Sequence, residues 1–266
     1  MASLVMLSAA VLLGLLLPFS MANNVLYGGH KLLAGESLTE GDFTFIMQSD
    51  CNLVLYHKDQ ALWSSGTNGL GSRCFARMQT DGNFVIFNDR LNKIWESGTR
   101  QTEGEFILVL QRDGHVVIYG DPIFTVPEVE PKNRKVATVT NNNILYAGDK
   151  LNTGESLTEG DFTFIMQSDC NLVLYDNDNR PWMWSSASNG LGNNCAAHLQ
   201  TNGDLVIRSD DGNVVWSSNT SQPEGEFILV LQRDGKVVIY SRAIFTIPNA
   251  EPRNRKIRKI AMVTKN

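Results

Sequence analysis

Apolar and polar residues alternate with a period of two along most of the chain. The clearest case is Gln48-Ser49-Asp50-Cys51-Asn52-Leu53-Val54-Leu55-Tyr56, which returns letter for letter from Gln167 to Tyr175. Side chains of an extended strand point alternately to its two faces. Gln48, Asp50, Asn52, Val54 and Tyr56 therefore share one face, and Ser49, Cys51, Leu53 and Leu55 share the other. The second set is suited to a core. The first is a row of amide, carboxylate, amide and phenol with one apolar tooth. Such alternation is routine on the wet face of an antiparallel sheet. A row of polar groups at fixed pitch also suits a ligand carrying several hydroxyls, which points to a sugar.

Repetition extends this pattern at two levels. Gly35–Tyr56 is identical to Gly154–Tyr175, and Glu103–Gly114 to Glu224–Gly235, so the chain has two homologous halves. Within each half the nine-residue unit recurs three times, starting at Gln48, Gln79 and Gln111 and again at Gln167, Gln200 and Gln232. The spacing leaves room for about four short strands per unit. Half of the copies carry Asp-Gly as a turn signal, and each turn is followed by an alternating apolar run. A Trp-x-Ser element follows the first two copies of each half, at Trp63, Trp95, Trp184 and Trp216. The third place holds Ile123-Phe124 and Ile244-Phe245. One aromatic per unit predicts rings meeting near a shared axis within three sheets. Helix signals are almost absent.

Composition narrows the class. The chain has 266 residues, 42% apolar and 19% charged, and a net charge of −5, which favours a globular protein and argues against nucleic acid as partner. Residues 1–22 read as a signal peptide, with an apolar run from Leu4 to Leu17 and a small-residue cleavage site at Ser20-Met21-Ala22. The chain is thus expected in the secretory pathway, secreted or vacuolar, without membrane insertion. Four cysteines in such a chain suggest two disulfides, and the spacing favours Cys51 with Cys74 and Cys170 with Cys195. The expected divisions are a domain over 23–127, a linker over 128–141, a second domain over 142–250 and a basic tail over 251–266. Exposed, proline-flanked basic segments invite proteolysis, so linker and tail are candidates for processing. Asn219-Thr220-Ser221 is a glycosylation sequon.

Gln-x-Asp-x-Asn-x-Val-x-Tyr, three times per domain with one disulfide, resembles the motif of the snowdrop-type (bulb-type) mannose-binding lectins of monocot plants. The resemblance spans Asn23 to about Pro248. It implies an all-β chain of two tandem β-prism II domains, each of three four-stranded antiparallel sheets around a pseudo-threefold axis. It also implies multivalent, metal-independent binding of terminal α-mannose on glycans and glycoproteins, with no cofactor and with agglutinating, defence-related activity. By the same resemblance, Asp50 and Asn52 bond the axial 2-hydroxyl, Gln48 the 3-hydroxyl and Tyr56 the 4-hydroxyl, with Val54 against the ring carbons. Gln167, Asp169, Asn171, Val173 and Tyr175 repeat this set. It further implies exchange of the C-terminal strand between domains, near Ile118–Pro127 and Ile239–Pro248, in an oligomer of processed domains.

The remaining copies depart from the motif. Gln79, Asp81, Asn83 and Val85 are kept, but Phe87 replaces tyrosine, giving a weakened site. His115 and Lys236 replace the motif asparagine in the third copies. The copy from Gln200 has Asn202, Asp204 and Arg208 at three motif positions. Two competent sites are expected. An enzymatic role lacks its constellation, because no carboxylate pairs with Asp50 or Asp169 and no G-x-S-x-G occurs. A storage protein with vestigial sites, and a lectin shifted toward complex N-glycans, remain as alternatives.

Overall fold

The computed structural model describes residues 23–126 and 142–247, apart from residues 179 and 224 and the side chains of 180 and 181. The signal peptide, linker and tail expected above lie outside the described residues. Every regular element described is a strand. The first half contains β1 (Val25–Tyr27), β2 (Lys31–Leu33), β3 (Ser37–Glu40), β4 (Phe43–Met47), β5 (Leu53–His57) and β6 (Gln60–Ser64). It continues with β7 (Phe75–Met78), β8 (Phe84–Phe87), β9 (Lys93–Glu96), β10 (Ile107–Leu110) and β11 (Val116–Val126). The second half repeats the series as β12 (Ile144–Tyr146), β13 (Lys150–Asn152), β14 (Ser156–Glu159), β15 (Phe162–Met166) and β16 (Leu172–Asp176). It ends with β17 (Arg180–Ser185), β18 (Ala196–Leu199), β19 (Leu205–Arg208), β20 (Val214–Ser217), β21 (Ile228–Leu231) and β22 (Val237–Ile247).

Two sheets of each half close locally: β3-β4-β5-β6 and β2-β7-β8-β9 in the first, β14-β15-β16-β17 and β13-β18-β19-β20 in the second. The third sheets are not separate. They fuse into one six-stranded sheet, β1-β10-β11-β22-β21-β12. β11 and β22 are each 11 residues long and run antiparallel, with Val116 opposite Ile247 and Val126 opposite Val237. The end of β22 thereby completes the first half's third sheet to four strands, and the end of β11 completes the second's. The strand exchange occurs inside one chain.

Packing follows the exchange. Ile244, Phe245 and Ile247 join the first core, around Phe45, Met47, Leu53 and Phe84. Ile123, Phe124 and Val126 join the second, around Phe164, Met166, Leu172 and Leu205. The expected meeting of rings is present, but its third member comes from the other half. Trp63 and Trp95 are 5.8 Å apart, with Phe245 6.4 Å from Trp95. Trp184 and Trp216 are 5.7 Å apart, with Phe124 6.5 and 6.3 Å away. These edge-on contacts favour the aromatic quadrupoles. At the crossing, Gly120 allows the close approach, because a Cβ there would lie 2.6 Å from the Phe106 ring.

The outer faces of the two third sheets close on each other. Val25, Ile107, Val109, Val117 and Tyr119 form one apolar cluster with Ile228, Val230, Val238 and Tyr240. At its edge Arg112 makes a two-pronged ion pair with Asp149 at 2.7 and 3.1 Å, and lies 4.6 Å from the Tyr146 ring centre. The halves thus share strands, a buried seam and a charged rim.

Candidate functional site

Each nine-residue unit is built around a tight turn. In the first, Gln48 N–H donates to the Asn52 carbonyl at 2.8 Å and Cys51 N–H to the Gln48 carbonyl at 3.2 Å. One residue must take a left-handed conformation: Cys51 at φ 75° and Cys170 at φ 70°. In the other four copies glycine fills that place: Gly82, Gly114, Gly203 and Gly235. Only glycine adopts it without cost. The two cysteines are held there by disulfides, Cys51 to Cys74 and Cys170 to Cys195.

The motif carboxylate closes this turn. Asp50 Oδ1 accepts from Asn52 N–H at 2.9 Å, and Asp169 Oδ1 from Asn171 N–H at 3.0 Å. Asp81, Asp113, Asn202 and Asp234 bond the same backbone position in their own copies. This Asx turn is structural and common to all six. What distinguishes Asp50 and Asp169 is that Oδ2 finds no protein donor among the described residues.

The motif amide is fixed from behind. Asn52 Oδ1 accepts from Ser65 Oγ at 3.1 Å and Thr67 N–H at 3.2 Å. Ser65 in turn accepts from Leu53 N–H at 3.0 Å, and the Thr67 hydroxyl donates to the Cys51 carbonyl at 2.6 Å. Ser186 and Ser188 hold Asn171 in the same way, at 3.1 and 3.3 Å. A backbone N–H on the oxygen settles which amide atom is which, and leaves Nδ2 as a donor without a protein acceptor among the described residues. Gln48 Nε2 donates to the Tyr56 hydroxyl at 3.0 Å, and Gln167 to Tyr175 at 2.8 Å. Val54 and Val173 are buried in the groove floors, each 3% exposed. Both grooves thus present a carboxylate oxygen, an amide donor, a glutamine and a phenol over an apolar base, in duplicate.

In the second copy of the first half the reading groups are engaged by neighbours. Asn83 Nδ2 donates to Glu96 Oε2 at 2.9 Å, Glu96 also pairs with Lys93, and Asp81 Oδ2 takes Arg100 at 2.8 Å. Ser64, Ser185 and Ser217 stand where Glu96 does, opposite the motif valine. The groove itself persists as a cavity of about 610 Å³ lined by Gln79, Asn83, Val85, Phe87, Lys93, Glu96, Gly98 and Arg100. In the copy from Gln200, Asp204 is saturated by Ser217, Ser218 and Thr220.

The third copies are closed by the fold. Gln232 Nε2 still donates to the Tyr240 hydroxyl at 2.7 Å and Gln111 to Tyr119, but the two tyrosines are 1% and 2% exposed in the seam. Burial pushes both phenols far above their ordinary range. His115 pairs with Asp113 at 3.0 Å, and that hydrogen bond holds its imidazole above the ordinary value despite partial burial.

The comparisons with known proteins accord with this arrangement. The chain is 36% identical to mannose-specific lectin 1 of Remusatia vivipara over 254 residues, covering 92% of this chain and 96% of that one. It is 36% identical to mannose-specific lectin 1 of Colocasia esculenta over 274 residues, covering 99% and 98%. The chain belongs to the bulb-type mannose-specific lectins of monocots. Among solved structures it resembles the two-domain, fetuin-binding agglutinin of Scilla campanulata, with TM-score 0.76 and 36% identity over 85% of this chain and all of that one. No protein-family model matches it.

Within this lectin fold, Ser65, Thr67, Ser186 and Ser188, which aim the motif amides, escaped the sequence reading. For Ser65 and Ser186 the signal was the serine of the Trp-x-Ser element, read there only as part of a repeat. Glu96 and Arg100 escaped it too. The sequon residue Asn219 is exposed, at φ 57°.

Proposed function

We propose that the chain is a lectin that binds terminal α-mannose in two equivalent grooves, Gln48–Tyr56 and Gln167–Tyr175, without metal, cofactor or catalysis. The observation that carries this reading is the paired free atoms: Asp Oδ2 and Asn Nδ2 stand open while their sister oxygens are tied into the turn. An acceptor and a donor side by side on a rigid strand suit one axial hydroxyl, which both accepts and donates. Loss of that pairing discriminates against sugars whose 2-hydroxyl lies elsewhere. The names of the relatives, mannose-specific lectins, support the same ligand.

A shallow groove with a few bonds to one hexose gives roughly millimolar affinity. Two grooves on one strand-exchanged body raise this by engaging one glycan or surface together. Passage through the secretory pathway, processing of linker and tail, further association of chains and a glycan on Asn219 belong to the same proposal. The test is a glycan array and mannan precipitation with methyl α-mannoside as competitor. Mannose-terminated glycans are expected to bind and to be displaced. Retention of complex N-glycans alone, undisturbed by mannoside, would overturn the reading.

A further inference from the structure

The two grooves are not equal beyond the hexose. The edge strand β17 is six residues long where its counterpart β6 has five. Between the pairs Leu174–Trp184 and Asp176–Arg180 the ladder is irregular, so Tyr175 alone faces residues 181–183. Met183 and Trp184 turn inward onto the second core. Trp182 does not, and is 60% exposed. In the first half Tyr56 lies opposite Ala61, which is the corresponding place. Trp182 therefore stands on the outer side of the sheet, across the strand from Tyr175 at the end of the Gln167–Tyr175 groove.

We propose that Trp182 extends the second groove into a subsite for a second sugar residue, which the first groove lacks. The inference rests on the mannoside reading of that groove. An indole left largely in water contributes little to the core, and its cost at the surface is offset only when something apolar covers it. Next to a hexose site, the nearest such surface is the C–H face of the adjoining pyranose. A flat aromatic covers that face while the sugar's hydroxyls stay in water, and the indole N–H adds a donor at the rim. The first half, with Ala61, offers no platform. One chain then carries a groove that reads a single terminal mannose and another that reads a linked pair.

The test uses the full chain with the first groove silenced by Asp50→Ala, so that the second is read alone. Calorimetric titrations compare methyl α-mannoside with α1,2-, α1,3- and α1,6-linked mannobiose, in this background and with Trp182→Ala or Trp182→Phe added. The preference for at least one mannobiose over the monosaccharide is expected to fall about three- to tenfold in Trp182→Ala. Trp182→Phe should retain part of it, and Ala61→Trp in an Asp169→Ala chain should create it in the first groove. A chain that binds methyl α-mannoside but shows the same preferences with and without Trp182 overturns this inference alone. A chain that binds no mannoside overturns the groove assignment, and this inference with it.

Discussion

Ile247 lies at the far end of the chain's last strand, yet it is buried in the first half's core with 1% of its surface exposed, opposite Val116. Truncating it to alanine removes three methyl-sized groups from a site that its neighbours cannot refill. Such deletions cost about 3 kcal/mol, equivalent to a rise of over a hundredfold in the open population of whatever unit depends on it. The unit is expected to be the first half, whose core residues from Leu26 to Ile118 all lie well over a hundred positions before Ile247 in sequence. Val126→Ala is the mirror experiment. Its side chain belongs to the second core, and its loss should cost about 2 kcal/mol there. Native-state hydrogen exchange read by peptide mass spectrometry separates the two cases. Ile247→Ala should accelerate exchange chiefly in β4, β5 and β8, and Val126→Ala chiefly in β15, β16 and β19. If Ile247→Ala loosens the second half and spares the first, the crossing of β11 and β22 is wrong.

Three further outcomes follow from named contacts. Glu96→Ser and Arg100→Ala combined with Phe87→Tyr free Asn83 Nδ2 and Asp81 Oδ2 and restore the missing phenol, so methyl α-mannoside stoichiometry should rise by one site per chain; no added site would show that Glu96 and Arg100 are not what closes the groove. The raised His115 imidazole contributes stability that is fully present below its ordinary value of 6.5 and is lost as pH rises through the raised one. Its partner Asp113, held low by His115, contributes above the ordinary carboxylate range, so Tm should decline as pH rises above the ordinary imidazole value of 6.5 in the parent and decline less in His115→Asn. A chain nicked within residues 128–141 should sediment as one particle without denaturant, because each piece carries the strand that completes the other. Spontaneous separation would contradict the exchange.

Much of this architecture was legible in the chain's own letters, for physical reasons that can be traced. Gln48–Tyr56 alternates strictly, and a strand with one wet face obeys period two, so core and groove residues separate on inspection. The repeated tryptophans located the shared axis. The runs Phe106–Leu110 and Val116–Tyr119 carried a further message that went unread. Continuous apolar strands mark burial on both faces, and it is the seam they form that closes the Gln111 and Gln232 copies. His115 and Lys236, the substitutions that drew attention, are secondary to that burial. The destination of Phe124 and Phe245 was hidden for a different reason. Both halves end in nearly the same strand, Val116–Val126 and Val237–Ile247, so their alternation alone does not say which core receives which end, and only the pairing of β11 with β22 does. Glu96 was hidden because its groove partner, Asn83, is cross-strand rather than near in sequence.

The most direct measurement is calorimetric counting of methyl α-mannoside on the intact chain and on Asp50→Ala, Asp169→Ala and the double variant. Each Asp loss removes the bond that closes the turn and one charge-assisted bond to the sugar of about 1.5–3 kcal/mol, a tenfold or greater weakening at that groove. Two sites are expected in the parent, one in each single variant and none measurable in the double. A double variant that still takes up two sugars per chain at parental affinity would place the binding elsewhere.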